Sequence, residues 1–417
     1  MHHCLRIVKV KFEKGNRILV AYQKEKSPVK LLVLLGALMA FTSLSPDVFL
    51  PAMPEISHDL SGHAPLLITS FLVGFAVAQL FWGPISDKYG RKIPLLTGIF
   101  LFIIGSVGCA LANDMFAMII FRIIQAVGAC TGPMIARAIV RDLYSGIKAA
   151  RVFNVLMIIM SVAPIVGPLI GGQLLSFFSW RAIFTFMPIV GLALFISTLF
   201  LKETLSQTNR RRDFSGIFNS YFAILRNKIF MLSTLVVSSL YLALYAFISA
   251  SPSVYIEHFN VDSRYYGFLF GINVLGLTIV SVFNRRLIDR FPLFRLVTTT
   301  ILISFLISLV MLIMNSLNDK SLLSVAVPIF IIFSSNGIIA SATNAIALSY
   351  VPSNSVGIAS ALLGSFQYGS GIISSLLLSI WDSNHPIPMA WIIFGGLFLA
   401  SIFAIRLSRQ LASDNKE

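Results

Sequence analysis

Twelve long apolar stretches leave this chain almost no choice of environment. They fall at roughly 31–54, 65–85, 93–112, 115–138, 152–175, 181–201, 229–256, 266–284, 296–314, 322–348, 357–380 and 389–406. Each is long enough for a helix to cross a hydrocarbon core about 30 Å thick. In lipid a backbone must satisfy its own N–H and C=O groups, so such runs become helices, and a β-barrel would show short alternating segments instead. Of the 417 residues only 12% are charged and 57% are hydrophobic. That is too little charge for a soluble surface and too much apolar mass for a disordered chain. The expected fold class is an all-α polytopic membrane protein with twelve transmembrane helices. Six His and three Cys, with no Cys-x-x-Cys pair, offer no metal or disulfide framework, and no cofactor is expected.

The net charge of +15 reads as topology. The connections alternate: 27 of the 32 Lys and Arg lie at residues 1–30, Lys88 to Lys92, Arg141 to Arg151, Lys202 to Lys228, Arg285 to Arg295 and the tail from Arg406. The other side holds Arg181, Arg264 and Lys320, and Arg122 and Arg137 lie inside the fourth stretch. Basic loops stay cytoplasmic, so both termini are placed in the cytoplasm. The excess charge then serves topology and contact with anionic lipid, and no nucleic-acid partner is expected. Glu13 and Glu25 interrupt the basic N-terminal segment, and no small-residue cleavage pattern follows the first stretch. That stretch reads as an uncleaved anchor.

The longest basic connection, 202–228, carries Arg210, Arg211, Arg212 and Asp213. It divides the chain into an N-terminal segment 1–29, a first bundle 30–201, the linker, a second bundle 229–408 and a tail 409–417. An internal repeat supports two six-helix bundles. Ser45-Pro46-Asp47-Val48-Phe49-Leu50 ends the first stretch and Ser251-Pro252-Ser253-Val254-Tyr255-Ile256 ends the seventh. The acid of the first half faces a serine in the second.

Three motifs carry chemistry. Gly83-Pro84-Ile85-Ser86-Asp87-Lys88-Tyr89-Gly90-Arg91-Lys92 falls on the turn between stretches two and three. Gly83 permits close helix approach and Gly90 a positive φ. Asp87 can meet a helix N-terminus or pair with Arg91. Contacts that form only in one conformation would act as a gating latch. Ala163-Pro164-Ile165-Val166-Gly167-Pro168-Leu169-Ile170-Gly171-Gly172 places small residues every four positions, a face for close helix packing, with prolines that bend the helix. Arg122-Ile123-Ile124-Gln125-Ala126-Val127-Gly128-Ala129 buries a cation with Gln125 on its face. Asp47 is the acid placed clearly within a stretch. Asp47 and Arg122 sit at equal depth, roughly 10 Å from one end at 1.5 Å per residue, which allows a proton-coupling pair. None of the His falls inside a stretch. In the second half Tyr241, Tyr245, Asn336, Asn344 and Gln367 stand at helical spacing, and with Gln125 they are candidates for a substrate cavity. Interhelical hydrogen bonding is the alternative use of each.

The turn motif resembles the signature loop of the major facilitator superfamily. The Arg122 segment resembles that family's R-x-x-Q-G-x-G-A pattern, with Ala126 in place of a glycine. In the family, the G-P-x-x-G-G pattern of Pro164 to Gly172 marks proton-coupled antiporters. Ser45 to Pro54, Arg141-Asp142-Leu143-Tyr144, Ser179-Trp180-Arg181, Lys202-Glu203-Thr204-Leu205 and Val254-Tyr255-Ile256 are similar to the bicyclomycin/chloramphenicol efflux transporters, the Bcr/CflA family. The resemblance runs from about residue 30 to the last stretch. It implies a monomeric drug:proton antiporter of the bacterial inner membrane, driven by the proton gradient and exporting amphiphilic small molecules. The alternative is a proton-coupled exporter of one metabolite, an amino acid or a sugar. An enzyme would need His, Asp or Glu clustered at one membrane face, and no such cluster is legible.

Reporter fusions after Lys92, Arg212 and Arg290 are expected to read as cytoplasmic, and fusions after Asp114, Asp262 and Asp382 as periplasmic. Two inversions in phosphatase and fluorescence readouts would overturn the twelve-span topology.

Overall fold

The computed structural model describes residues 8–13, 16–21, 29–207, 210, 217–317, 321–352, 355–381 and 385–414. Among these, twelve helices are long and apolar enough to cross a membrane: Val29–Asp59, Pro65–Tyr89, Lys92–Leu111, Met115–Leu143, Arg151–Phe177, Arg181–Leu199, Lys228–His258, Ser263–Ile288, Leu293–Ser316, Leu323–Ser349, Val356–Ile380 and Pro386–Ser413. They are spans one to twelve. Arg211, Arg212, Asp213 and Lys320 lie outside the described residues. One feature departs from the all-helical expectation. In the N-terminal segment, Val8–Glu13 and Asn16–Ala21 pair as an antiparallel ribbon, in keeping with the two-residue alternation of Val8, Val10 and Phe12. The linker also holds a short helix, Ile217–Leu225.

Polar residues fix where several helices begin. The side chains of Asp114, Asn227 and Asp262 accept hydrogen bonds from the backbone N–H groups of Ala117, Phe230 and Arg264 at 2.8, 3.0 and 2.9 Å, satisfying donors the helix leaves free. The repeated Ser-Pro step disturbs both halves at the same place. Span one is α-helical to Asp47 and then tightens into a 3-10 turn at Leu50–Ala52. Span seven is α-helical to Pro252 and then widens into a π turn, Ser253–His258. Proline removes the N–H that would close the ladder there, so the helix rewinds beyond it.

Packing repeats with the sequence in all but one contact. In the first bundle span one packs on four and five, four on two and three, and three on six. In the second, seven packs on ten and eleven, ten on eight and nine, and nine on twelve, but seven also lies along twelve over a long contact that one and six barely share. The bundles meet where span two lies along eleven and span five along eight. With twelve crossings, the start of span one, the end of span twelve and the short helix Ile217–Leu225 share one face, the basic face.

Helices approach each other most closely at small residues, because lipid supplies no hydrophobic force to press larger ones together. A Cβ on Gly171 would collide with the Val48 carbonyl oxygen of span one, and a Cβ on Gly172 would stand 2.8 Å from the Ser263 carbonyl of span eight. Gly267 returns the contact, lying against the backbone of Pro168 and Leu169. Ala126, where the resembling pattern has glycine, is accommodated from the other side. A Cβ on Gly74 would be 3.0 Å from its methyl. Gly171→Val is therefore expected to lower thermal stability and monodispersity in detergent, by an amount typical of overpacking, about 1–3 kcal/mol or more. Gly395→Ala, in open space, should leave both intact or improve them. Equal melting curves for the two variants would refute this packing argument.

Candidate functional site

A cavity of about 500 Å³ lies between the bundles, walled by spans one, two, four, five, seven, eight, ten and eleven. It reaches Leu348 and Ser360, within about a turn of the basic-face ends of spans ten and eleven. Toward the opposite face the halves touch at two places. There Thr69 and Ser375 share a 2.7 Å hydrogen bond between spans two and eleven, and Gly172 and Gly267 close spans five and eight. Asp47, Pro164, Tyr241, Tyr245, Asn336, Asn344 and Gln367 all line the cavity. Two expectations combine in the second-half wall, where Gln367 and Asn344 face the cavity and also bond between helices. Gln367 Nε2 donates to Asn344 Oδ1 at 3.3 Å. Tyr368 completes an aromatic chain, its ring 4.4 Å from that of Phe75 and 6.3 Å from that of Tyr245.

Asp47 is buried, 8% exposed, and among the described residues it is the only carboxylate on the cavity wall. The motif of span five holds it. Gly167 lies against it so closely that a Cβ there would stand 3.0 Å from the Asp47 Cβ. The same helix meets the second bundle through Gly172 one turn further on.

The expected pair with Arg122 is not formed. Among the described residues no ion pair joins them. The Arg122 guanidinium instead lies over the rings of Phe49 and Phe71, 4.2 and 4.7 Å from their centroids. Its Nη1 donates to Gln125 Oε1 at 2.6 Å and its Nε to the Leu67 carbonyl at 3.4 Å. Equal depth did not imply a shared azimuth, and the Phe49 ring, two residues after Asp47, takes the position facing the cation. Gln125 is likewise no cavity residue. Its amide donates to Ser106 Oγ at 2.7 Å and Met187 Sδ at 3.3 Å, inside the first bundle. Arg122 and Gln125 form a buried polar core stabilised by aromatic faces.

The second charge on the wall is Arg137. Span four continues as a helix through Cys130, whose φ and ψ are helical and whose N–H donates to the Ala126 carbonyl at 3.1 Å, and its later turns present Arg137 to the cavity. The residue was legible as a cation inside an apolar stretch, but the direction it faces was not.

At the basic face, Arg91 is the hub of a charge cluster. It reaches Asp87 at 2.6 Å, Asp142 at 2.8 Å and Ser86 Oγ at 2.9 Å. Glu203 accepts from the backbone N–H groups of Arg91 at 2.9 Å and Lys92 at 3.2 Å, capping span three, and from those of Thr204 and Leu205. Burial pushes the Glu203 carboxyl up, but the N–H donors of Arg91, Leu205, Lys92 and Thr204 hold it below the usual carboxylate range. Its contribution is thus present above the ordinary carboxylate pKa and is lost as pH falls through the lowered one. Gly90 turns the chain at φ +92°, where a Cβ would collide with Glu203. Gly83 does not need to be glycine for packing, since the nearest atom to a Cβ is Met134 Sδ at 3.8 Å. These described contacts stay within the first bundle and the segment after it, while the cavity reaches the basic face. In this arrangement the cluster braces the first bundle and the segment after it. Glu257 lies elsewhere, at a smaller cavity of the opposite face with His58, His63 and Ser253. His58 and His258 fall in the last turns of spans one and seven, not outside the spans as expected.

A two-bundle helical shell around a central cavity lined by one acid and one base is the architecture of a membrane transporter. The Major Facilitator Superfamily model matches residues 33–375, and the chain belongs to that family. It is 33% identical over 404 residues to the uncharacterized MFS-type transporter YdgK of Bacillus subtilis (strain 168), covering 94% of this chain and 98% of the relative. It is 28% identical over 397 residues to a bicyclomycin resistance protein homolog of Haemophilus influenzae, covering 94% and 99%. In fold it is similar to the POT family transporter PepTSo, with a TM-score of 0.75 at 14% identity over 94% of this chain and 99% of that one.

Asp87→Asn and Gly90→Val are expected to lower turnover several-fold while substrate affinity changes less than about twofold, because both loosen the brace and leave the cavity walls intact. Loss of ligand binding by a folded, monodisperse variant would contradict this.

Proposed function

We propose that this chain is a drug:proton antiporter. In this reading it exports amphiphilic small molecules across the bacterial inner membrane as a monomer, with both termini in the cytoplasm. The observation that carries the reading is Asp47, a buried carboxylate on the wall of an aromatic and amide-lined cavity, seated against Gly167 of the proline–glycine helix. The size and mixed lining of the cavity suit drug-sized amphiphiles, and the resistance-protein relative spans nearly the whole chain.

In this reading the cavity takes substrate from the cytoplasm when it faces the basic side. An isolated ion in the bilayer costs roughly 3 kcal/mol or more, so the empty, ionised Asp47 is costly until a cationic group or a proton joins it. Substrate arriving from inside displaces the proton. When the cavity faces outward, a periplasmic proton neutralises Asp47 and releases the substrate. Exchange follows from competition at one carboxylate. Because span five touches both Asp47 and span eight, the state of the acid bears directly on the contact between the bundles.

Asp47→Asn is expected to abolish uphill export in inverted vesicles and proton release on substrate addition to detergent-solubilised protein, while passive exchange survives. Asp47→Glu should keep part of the activity with a shifted pH optimum. Retained proton release by Asp47→Asn would move the coupling site elsewhere, with Glu257 the next residue to test.

A further inference from the structure

The cavity holds two opposite charges that do not neutralise each other. Among the described residues neither Asp47 nor Arg137 takes part in an ion pair. The contrast with Arg122 is informative, because that cation is fully enclosed and covered by aromatic rings. Arg137 is surrounded by helices yet exposed to the cavity. Its Nε donates to the carbonyl of Pro133 on its own helix at 3.0 Å, and this is the protein hydrogen bond the guanidinium makes among the described residues. Asp47, Arg137 and Tyr368 all line the same cavity, so the two charges belong to one chamber.

We propose that the cavity selects zwitterionic amphiphiles, with Arg137 taking the anionic group of the substrate and Asp47 the cationic one; this rests on the antiport reading above. A cation facing a weakly polar cavity without a counter-ion is a ready partner for a carboxylate, which a guanidinium binds by paired, charge-assisted hydrogen bonds. The exchange logic then decides between ligand classes. With Asp47 protonated the chamber carries one net positive charge, from Arg137. A purely anionic substrate would bind that state better than the ionised one, so proton and substrate would travel together. A zwitterion brings an ammonium that competes with the proton for Asp47 and a carboxylate that Arg137 holds. Binding it releases one proton and leaves a chamber of net charge zero, which is exchange. A simple cation would also compete with the proton but would leave Arg137 unmatched. The aromatic wall of Phe75, Tyr245 and Tyr368 accepts the body of the molecule between the two poles.

The test uses the full-length protein in detergent and two probes, norfloxacin, an aromatic zwitterion at neutral pH, and its methyl ester, which keeps the amine and lacks the carboxylate. Equilibrium binding and proton release on ligand addition are measured together. Wild-type protein is expected to bind the zwitterion about tenfold or more tighter than the ester and to release protons with both. Arg137→Gln should bring the ratio to about one by weakening the zwitterion, and Arg137→Lys should restore part of the preference. Binding of the ester by Arg137→Gln shows that the variant is folded. Equal binding of both probes by wild type, or a preference that survives Arg137→Gln, would overturn the inference while proton release left the antiport reading standing. Absence of zwitterion binding with no proton release to either probe would overturn both.

Discussion

Glycines, the least chemically active residues, hold span five against its neighbours on both sides. Span five lies against span one at Gly167 and Gly171 and against span eight at Gly172, with Gly267 answering from the other bundle. In a membrane, association rests on such close approach, since lipid gives apolar side chains no reason to leave it. This packing fixes the position of Asp47, shapes one wall of the cavity and joins the two bundles. Any larger residue at Gly171 would force span five away from the Val48 carbonyl and move all three together.

The charges divide into three kinds by what surrounds them. Arg122 is enclosed and balanced by aromatic faces and Gln125, so it organises the interior of the first bundle. Arg91 and Glu203 tie the basic ends of spans two, three, four and the segment after six, using short charge-assisted bonds around a buried guanidinium. Asp47 and Arg137 alone among the described charged residues border the cavity. A charge that the protein leaves unmatched at a cavity is available to a proton or a ligand, and this separates the transport machinery from the scaffold.

The halves repeat in packing and in the Ser-Pro break but not in charge. Both cavity charges come from the first bundle, while the second contributes Tyr241, Tyr245, Asn336, Asn344, Gln367 and Tyr368. One wall carries the electrostatics and the other a neutral hydrogen-bonding, aromatic surface. Such a division lets one scaffold accept varied molecules without multiplying buried ions, each of which would cost stability.

Sequence alone determined the twelve helices and the repeat, because hydrocarbon thickness and backbone hydrogen bonding leave one solution for long apolar runs; several helices run a turn or more beyond the apolar stretch, since their polar last turns carry no hydropathy signal. It also marked Asp47, the proline–glycine helix and the turn glycine at Gly90, since a lone carboxylate, a four-residue period of small residues and a positive φ each have a direct chemical signature. What it could not supply was rotation about the helix axes. Depth along a helix is linear in residue number, but whether Arg122 faces Asp47 or the rings of Phe49 and Phe71 depends on side chains from several helices at once. The aim of Arg137 depends on how span four is turned against its neighbours, and the cluster at Arg91 on where the chain after span six returns. Tertiary structure decided these, because azimuth in a bundle is set by packing against neighbours and is not written in any one segment.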